Sequence, residues 1–216
     1  MKYVLTNRSK LRRSGLGEER LNTMPWEKTF EEEAVIEQAM QVFWKKGYAA
    51  TSISDITEAT GIKRGSLYNA FEGKDDLFIR ALLKYDTERR RAAMQEMERI
   101  ADAREAIAGW FDRAVKTSSG DPDKKGCLLV NTALDYSNCG DEVQKVVADG
   151  FKEVAAFFER LIKRGREEGD IPNSVEPRST AKALMALLIG LRVMGRGTLG
   201  KTGLQQIADQ ASRLIS

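Results

Sequence analysis

The densest run of groups able to do chemistry in this 216-residue chain lies between Thr51 and Lys74. Within it, Leu67 and Phe71 stand four residues apart, on one face of a short helix, so Lys63, Arg64, Ser66 and Asn69 are left pointing outward. An ammonium or a guanidinium suits a phosphate oxygen. A guanidinium also forks onto a guanine edge, and a carboxamide can pair with adenine or hold a phosphate. Arg64 is therefore the expected base reader. This chemistry recognises a nucleic acid; it does not make or break bonds.

The alternatives in covalent chemistry are poorly supplied. The chain has no histidine and only two cysteines, Cys127 and Cys139, so imidazole-dependent triads and a zinc site are not expected, and no cofactor or metal is implied. The carboxylates Glu31, Glu32 and Glu33 are consecutive at a helix start, where they serve the helix dipole. The chain is expected not to be an enzyme. Its net charge of +3 is mild, so a nucleic-acid surface has to be local.

The elements that position these groups are helical, and an all-α fold is expected. Thr29 and Glu32 suggest a capping box for a first helix carrying Ala34, Ile36, Ala39, Met40 and Phe43, stopped by Gly47. Ser52, with Asp55 three residues on, caps a second helix bearing Ile53, Ile56 and Ala59, and Gly61 permits a tight turn. The third runs from about Lys63 to Phe71. Two short helices joined by a glycine turn cross steeply and can offer the second to a major groove. Residues 1–26, with Arg8, Lys10, Arg12 and Arg13, lack periodicity and read as a basic tail or an extension. The head then spans 27–73.

The stretch from Phe43-Trp44 through Gly47-Tyr48, Thr51-Ser52, Asp55-Ile56, Gly61, Gly65-Ser66-Leu67-Tyr68 and Phe71 to Lys74 resembles the DNA-binding domain of the tetracycline-repressor (TetR/AcrR) family, over about Phe30 to Tyr85. That resemblance implies a sequence-specific transcriptional regulator bound to double-stranded operator DNA, with Thr51, Ser52, Tyr68 and Lys74 meeting the phosphate backbone. It also implies a homodimeric repressor released by a small-molecule effector. A helical interaction protein that kept the shape of the head without binding DNA is the rival reading.

Residues 74–216 are then the effector-binding and dimerisation body. A connecting helix is expected over 74–100, with Leu77, Phe78, Ala81, Leu82 and Tyr85 inward and the run Glu88 to Arg91 on a solvated face. Ile107, Trp110, Phe111 and Ala114 mark a further helix, and Gly126 to Tyr136, apolar almost all round, a central buried one. Helices over 141–168 and 177–196 are the expected dimer interface, because the second is apolar on more sides than one core can cover.

Trp110, Phe111, Cys127, Asn131, Leu134, Tyr136 and Met185 are the candidate walls of an effector pocket, mixing apolar bodies with few polar tips. Cys127 follows Lys124 and Lys125 at a helix start, which favours a reactive thiolate; the other reading is a small buried hydrophobe.

Two further patterns bear on class. Gly195 to Gly200 spells a glycine-rich GxGxxG, but it follows a helix, so a turn is expected and not a dinucleotide loop. The longest apolar run, Ala183 to Leu191, falls far short of the roughly 20 residues that span a bilayer. The N-terminus lacks the apolar run of an export signal, and a cytoplasmic location is expected.

Overall fold

The computed structural model describes residues 25–216, with side chains from residue 32 onward; the expected basic tail lies outside the described residues up to residue 24, and its last two positions, Pro25 and Trp26, belong instead to the first helix. Every regular element among those residues is helical. The first, α1 (Pro25–Lys46), starts a turn before the capping box expected at Thr29, and a proline suits that first turn because the N–H it lacks would have no helix partner there.

The head continues with α2 (Ile53–Thr60) and α3 (Arg64–Ala70). Ser52 and Asp55 form the predicted reciprocal cap, and Gly61 ends α2 at φ 68°, a left-handed conformation that a side chain would strain. Helix α4 (Lys74–Tyr85) then packs along α1. The head core joins Phe43, Ile56, Leu67, Phe71, Leu77 and Phe78, with Phe43 and Phe78 meeting edge to face at 4.8 Å. The whole length of α4, from Leu77 to Tyr85, thus belongs to this core, which also takes in Leu129, Val143 and Val147 from the body.

The connecting helix continues from α4 through a π-helical segment, Asp86–Arg91, into α5 (Ala92–Glu98). The solvated face expected over Glu88 to Arg91 is only partly found. A π turn brings positions i+4 and i+5 onto one side, so both Arg90 and Arg91 reach the buried carboxylate of Asp86. Both also pair with Glu153, at 2.6 Å and 2.9 Å.

The body is built by α6 (Ala103–Ser119), α7 (Leu128–Leu134), α8 (Asp141–Glu168), α9 (Pro177–Met194) and α10 (Lys201–Arg213). Its core gathers Trp110, Phe111, Phe157, Phe158, Leu184 and Leu191, among others. The helix expected to be central is the short α7, followed by one 3-10 turn, Tyr136–Asn138. It buries Leu128, Leu129 and Val130 on one side and leaves Leu134 exposed, because its few turns lie over the core and not through it. Gly195 to Gly200 is a turn between α9 and α10, as expected. No described helix is long and apolar enough to cross a membrane.

Candidate functional site

Helix α3 is held by its apolar side. Leu67 is fully buried and Phe71 nearly so, packed with Ile56 and backed by Ile53 and Ile62. The opposite side is open: Lys63, Arg64, Ser66, Tyr68 and Asn69 are all exposed. Neither Lys63, Arg64 nor Lys74 forms an ion pair among the described residues. Arg64 lies along the Tyr68 ring, 5.8 Å from its centroid, and the half-buried Lys74 sits 4.3 Å over Tyr48. Cations parked on aromatic faces keep their N–H groups available to an acceptor from solution.

Thr51 requires a correction. Its side chain is buried and its hydroxyl donates to the Gly47 carbonyl at 2.6 Å, so it secures the bend between α1 and α2 and does not face outward. Ser52 is exposed, with its hydroxyl engaged in the cap to Asp55. Two clamps that the sequence reading missed tie α1 and the turn after it to α2 and α4. Lys46 pairs with Asp55 at 2.6 Å, and the Tyr48 hydroxyl donates to Asp75 at the start of α4. The Lys46 contact, with the Ser52 donors, holds the Asp55 carboxyl at about 2. Burial, with Asp75 beside it, pushes the Tyr48 phenol well above its ordinary range, so it remains a donor.

Where head and body meet lies a cavity of about 780 Å³, within the range of small-molecule sites. Of the expected wall residues, Trp110, Cys127 and Met185 line it. The other four do not. Phe111 is fully buried against Phe158 on the far side of α6. Asn131 is spent on the loop, donating to the Lys125 carbonyl at 2.7 Å and accepting from Arg196. Leu134, at the last position of α7, and Tyr136, in the 3-10 turn that follows, are both exposed at the surface.

The cavity instead recruits residues the sequence reading missed, among them Gln41 and Trp44 of α1, Tyr85 of α4 and Arg192 of α9. Trp44 donates its indole N–H to the Gly126 carbonyl at 3.1 Å, packs edge to face on Tyr85 at 4.8 Å, and carries the Lys125 ammonium over its ring. The three-residue spacing of Gln41 and Trp44, beside the stripe of Ala39, Met40 and Phe43, was the one available signal for this second buried face of α1. Burial, with Cys127 close by, raises the Tyr85 phenol well above its ordinary value.

Residues 35–81 match the family model described as bacterial regulatory proteins, tetR family, and residues 103–210 match that of the tetracyclin repressor-like C-terminal domain. The HTH-type transcriptional repressor ComR of Escherichia coli is 29% identical over 195 residues, covering 87% of this chain and 90% of its own. Among solved structures, a cysteine mutant of the TetR family transcriptional regulator CifR complexed with 26 bp double-strand operator DNA superposes with a TM-score of 0.76. It is 27% identical, over 85% of this chain and 96% of that one. The reduced form of Escherichia coli NemR, 18% identical, shares the fold at a TM-score of 0.80 over 87% of this chain and 97% of its own.

Proposed function

The chain belongs to the tetR family of bacterial regulatory proteins and is a DNA-binding regulator of transcription, and from that premise we propose that it is a homodimeric repressor whose operator is released when a small organic molecule enters the cavity. The observation that carries this reading is the position of the cavity: one wall is Trp44 and Tyr85, rooted in the head, and the opposite wall is Trp110, Met185 and Arg192, rooted in the body. A molecule that binds better when these walls separate shifts the population toward heads tilted away from operator spacing. The bonds it works against are the Trp44–Gly126 hydrogen bond and the Lys125–Trp44 contact. The name of ComR, a transcriptional repressor, supports the sign of regulation.

On DNA, Arg64 reads a base edge, Asn69 takes adenine or a phosphate, and Ser52, Lys63, Ser66, Tyr68 and Lys74 hold the backbone. Two copies pair through α8 and α9. On α9 the small residues Ala183 and Ala186 are exposed and Gly190 faces open space, which lets a second copy approach closely. A regulator of this kind works in the cytoplasm.

The test is binding to fragments flanking its own gene at several salt concentrations. Lys63→Ala should weaken every sequence alike and reduce the salt slope by about one, whereas Arg64→Ala should also relax preference at one base pair, at about 1–3 kcal/mol. Unchanged affinity and slope in both variants would remove α3 from the interface. Light scattering that gives a monomer at micromolar concentration would remove the dimer.

A further inference from the structure

Charge in the cavity is strongly one-sided. Six cations line it, Arg89, Arg90, Arg113, Lys116, Lys125 and Arg192, against the single carboxylate of Asp121. Two of the six are already neutralised: Arg90 by Asp86 and Glu153, and Arg113 by Glu96 at 2.7 Å. The exposed Arg89 and Lys116 have no ion-pair partner among the described residues. Lys125 has only Asp123, at 3.9 Å. Asp121 offers little to a cation, because its oxygens accept the backbone N–H groups of Asp123 and Lys125 at 3.1 Å and 2.7 Å and cap a turn.

Arg192 is the informative member. It is half-buried and fixed by neutral groups: Nη1 donates to the Thr117 and Ser118 hydroxyls at 2.6 Å and 3.2 Å, and it has no carboxylate partner among the described residues. The remaining donors of its planar fork are not used by any described acceptor. It lines the cavity together with Tyr85, Trp110 and Met185. A guanidinium held in place, partly dehydrated and without a counter-charge is an arrangement that a carboxylate completes with two parallel hydrogen bonds. Trp110, Met185, Leu188 and Ile189 supply an apolar floor beside it.

We propose that the cavity selects organic anions, molecules with one carboxylate or a comparable acidic head seated on Arg192 and an aromatic or aliphatic body lying over Trp110 and Met185. This rests on the cavity being the effector site and adds the chemical class of the effector. Lys125 and Lys116 at the loop side draw the anion in, and the same cations reject amines, since a positive ligand would enter a space with no free carboxylate to receive it.

The experiment uses the full-length protein and matched triplets of carboxylate, primary amide and amine built on phenyl, naphthyl and octyl bodies. Binding is read by quenching of tryptophan fluorescence, and operator release separately by anisotropy of labelled DNA. The carboxylate of at least one triplet should bind about ten- to a hundredfold more tightly than its amide, and the amine most weakly. Arg192→Gln should erase that margin, Arg192→Lys should keep part of it, and Lys125→Gln, at a half-buried position over Trp44, should reduce it.

An amide or amine that equals its carboxylate overturns the assignment, even if it releases DNA. So does a panel in which no carboxylate binds, or a margin that survives both Arg192→Gln and Lys125→Gln. A carboxylate that binds with the expected margin but leaves the operator bound supports the anion site and refutes instead the reading of that site as the release switch.

Discussion

The face of α3 and the cavity wall use the same kinds of residue in opposite ways. On α3 the cations project from a rigid apolar anchor into solvent, and all the side chains concerned come from one continuous stretch ending at Lys74. In the cavity the cations are gathered from the π-helical segment, α6, the loop after it and α9, from Arg89 to Arg192. A helix can present an outward-facing site by itself, since local periodicity decides which side chains remain uncovered. A convergent site exists only once distant elements pack. The two are nonetheless joined through Trp44 and Tyr85, which pack into the head core and also line the cavity.

That junction can be broken in graded steps. The largest effect is expected for Phe71→Ala, which empties the anchor beneath α3 and should cost about 3–5 kcal/mol in urea unfolding and abolish DNA binding. Because the head core runs on into Leu129, Val143 and Val147, head and body should still unfold together in one transition. Two separate transitions would show the regions to be independent.

Next comes Arg90→Met, which leaves the buried Asp86 carboxylate with the exposed Arg91 as its remaining cation and should cost about 2 kcal/mol. Replacing both, Arg90→Met with Asp86→Leu, should restore most of that stability but uncouple ligand binding from DNA release, measured as operator affinity with and without a cavity ligand. Unimpaired coupling in the double variant would place the link elsewhere, with Trp44 as the next candidate.

The smallest effect concerns Asp55. Its carboxyl is held at about 2, below its ordinary value near 3.8. Its contribution is therefore complete above pH 3.8 and is lost as pH falls toward 2. Thermal melts of the intact chain should decline through that window, and Asp55→Asn should flatten the decline while lowering the melting point slightly at neutral pH, where the Lys46 clamp is already gone. An identical profile in both proteins would mean that the clamp contributes nothing to the tie between α1 and α2.

Much of this was legible beforehand where the cause is local. The Ser52–Asp55 cap, the left-handed Gly61 and the buried pair Leu67 and Phe71 all follow from residue types at fixed short offsets, and the structure has each as read. Reading failed where the cause is not local. Thr51 was a plausible hydroxyl for a phosphate until its bond to Gly47 was visible. Leu134 and Tyr136 were apolar enough for a core but fall at and just beyond the end of a helix that stops after seven residues, where both are exposed. The charged run Glu88 to Arg91 looked like surface, because nothing in its own sequence announces that Glu153 will arrive opposite it.

Sequence alone thus determined the helical character of the head, the Ser52–Asp55 cap and the outward side of α3, since period and capping act over three or four residues and need no partner. Only the tertiary structure decided which cations turn inward, which carboxylates neutralise them and which one, Arg192, is left without a described counter-charge. Those outcomes depend on which charges meet across the packed interior, and Coulomb and desolvation energies there are set by distances in space and not by positions along the chain.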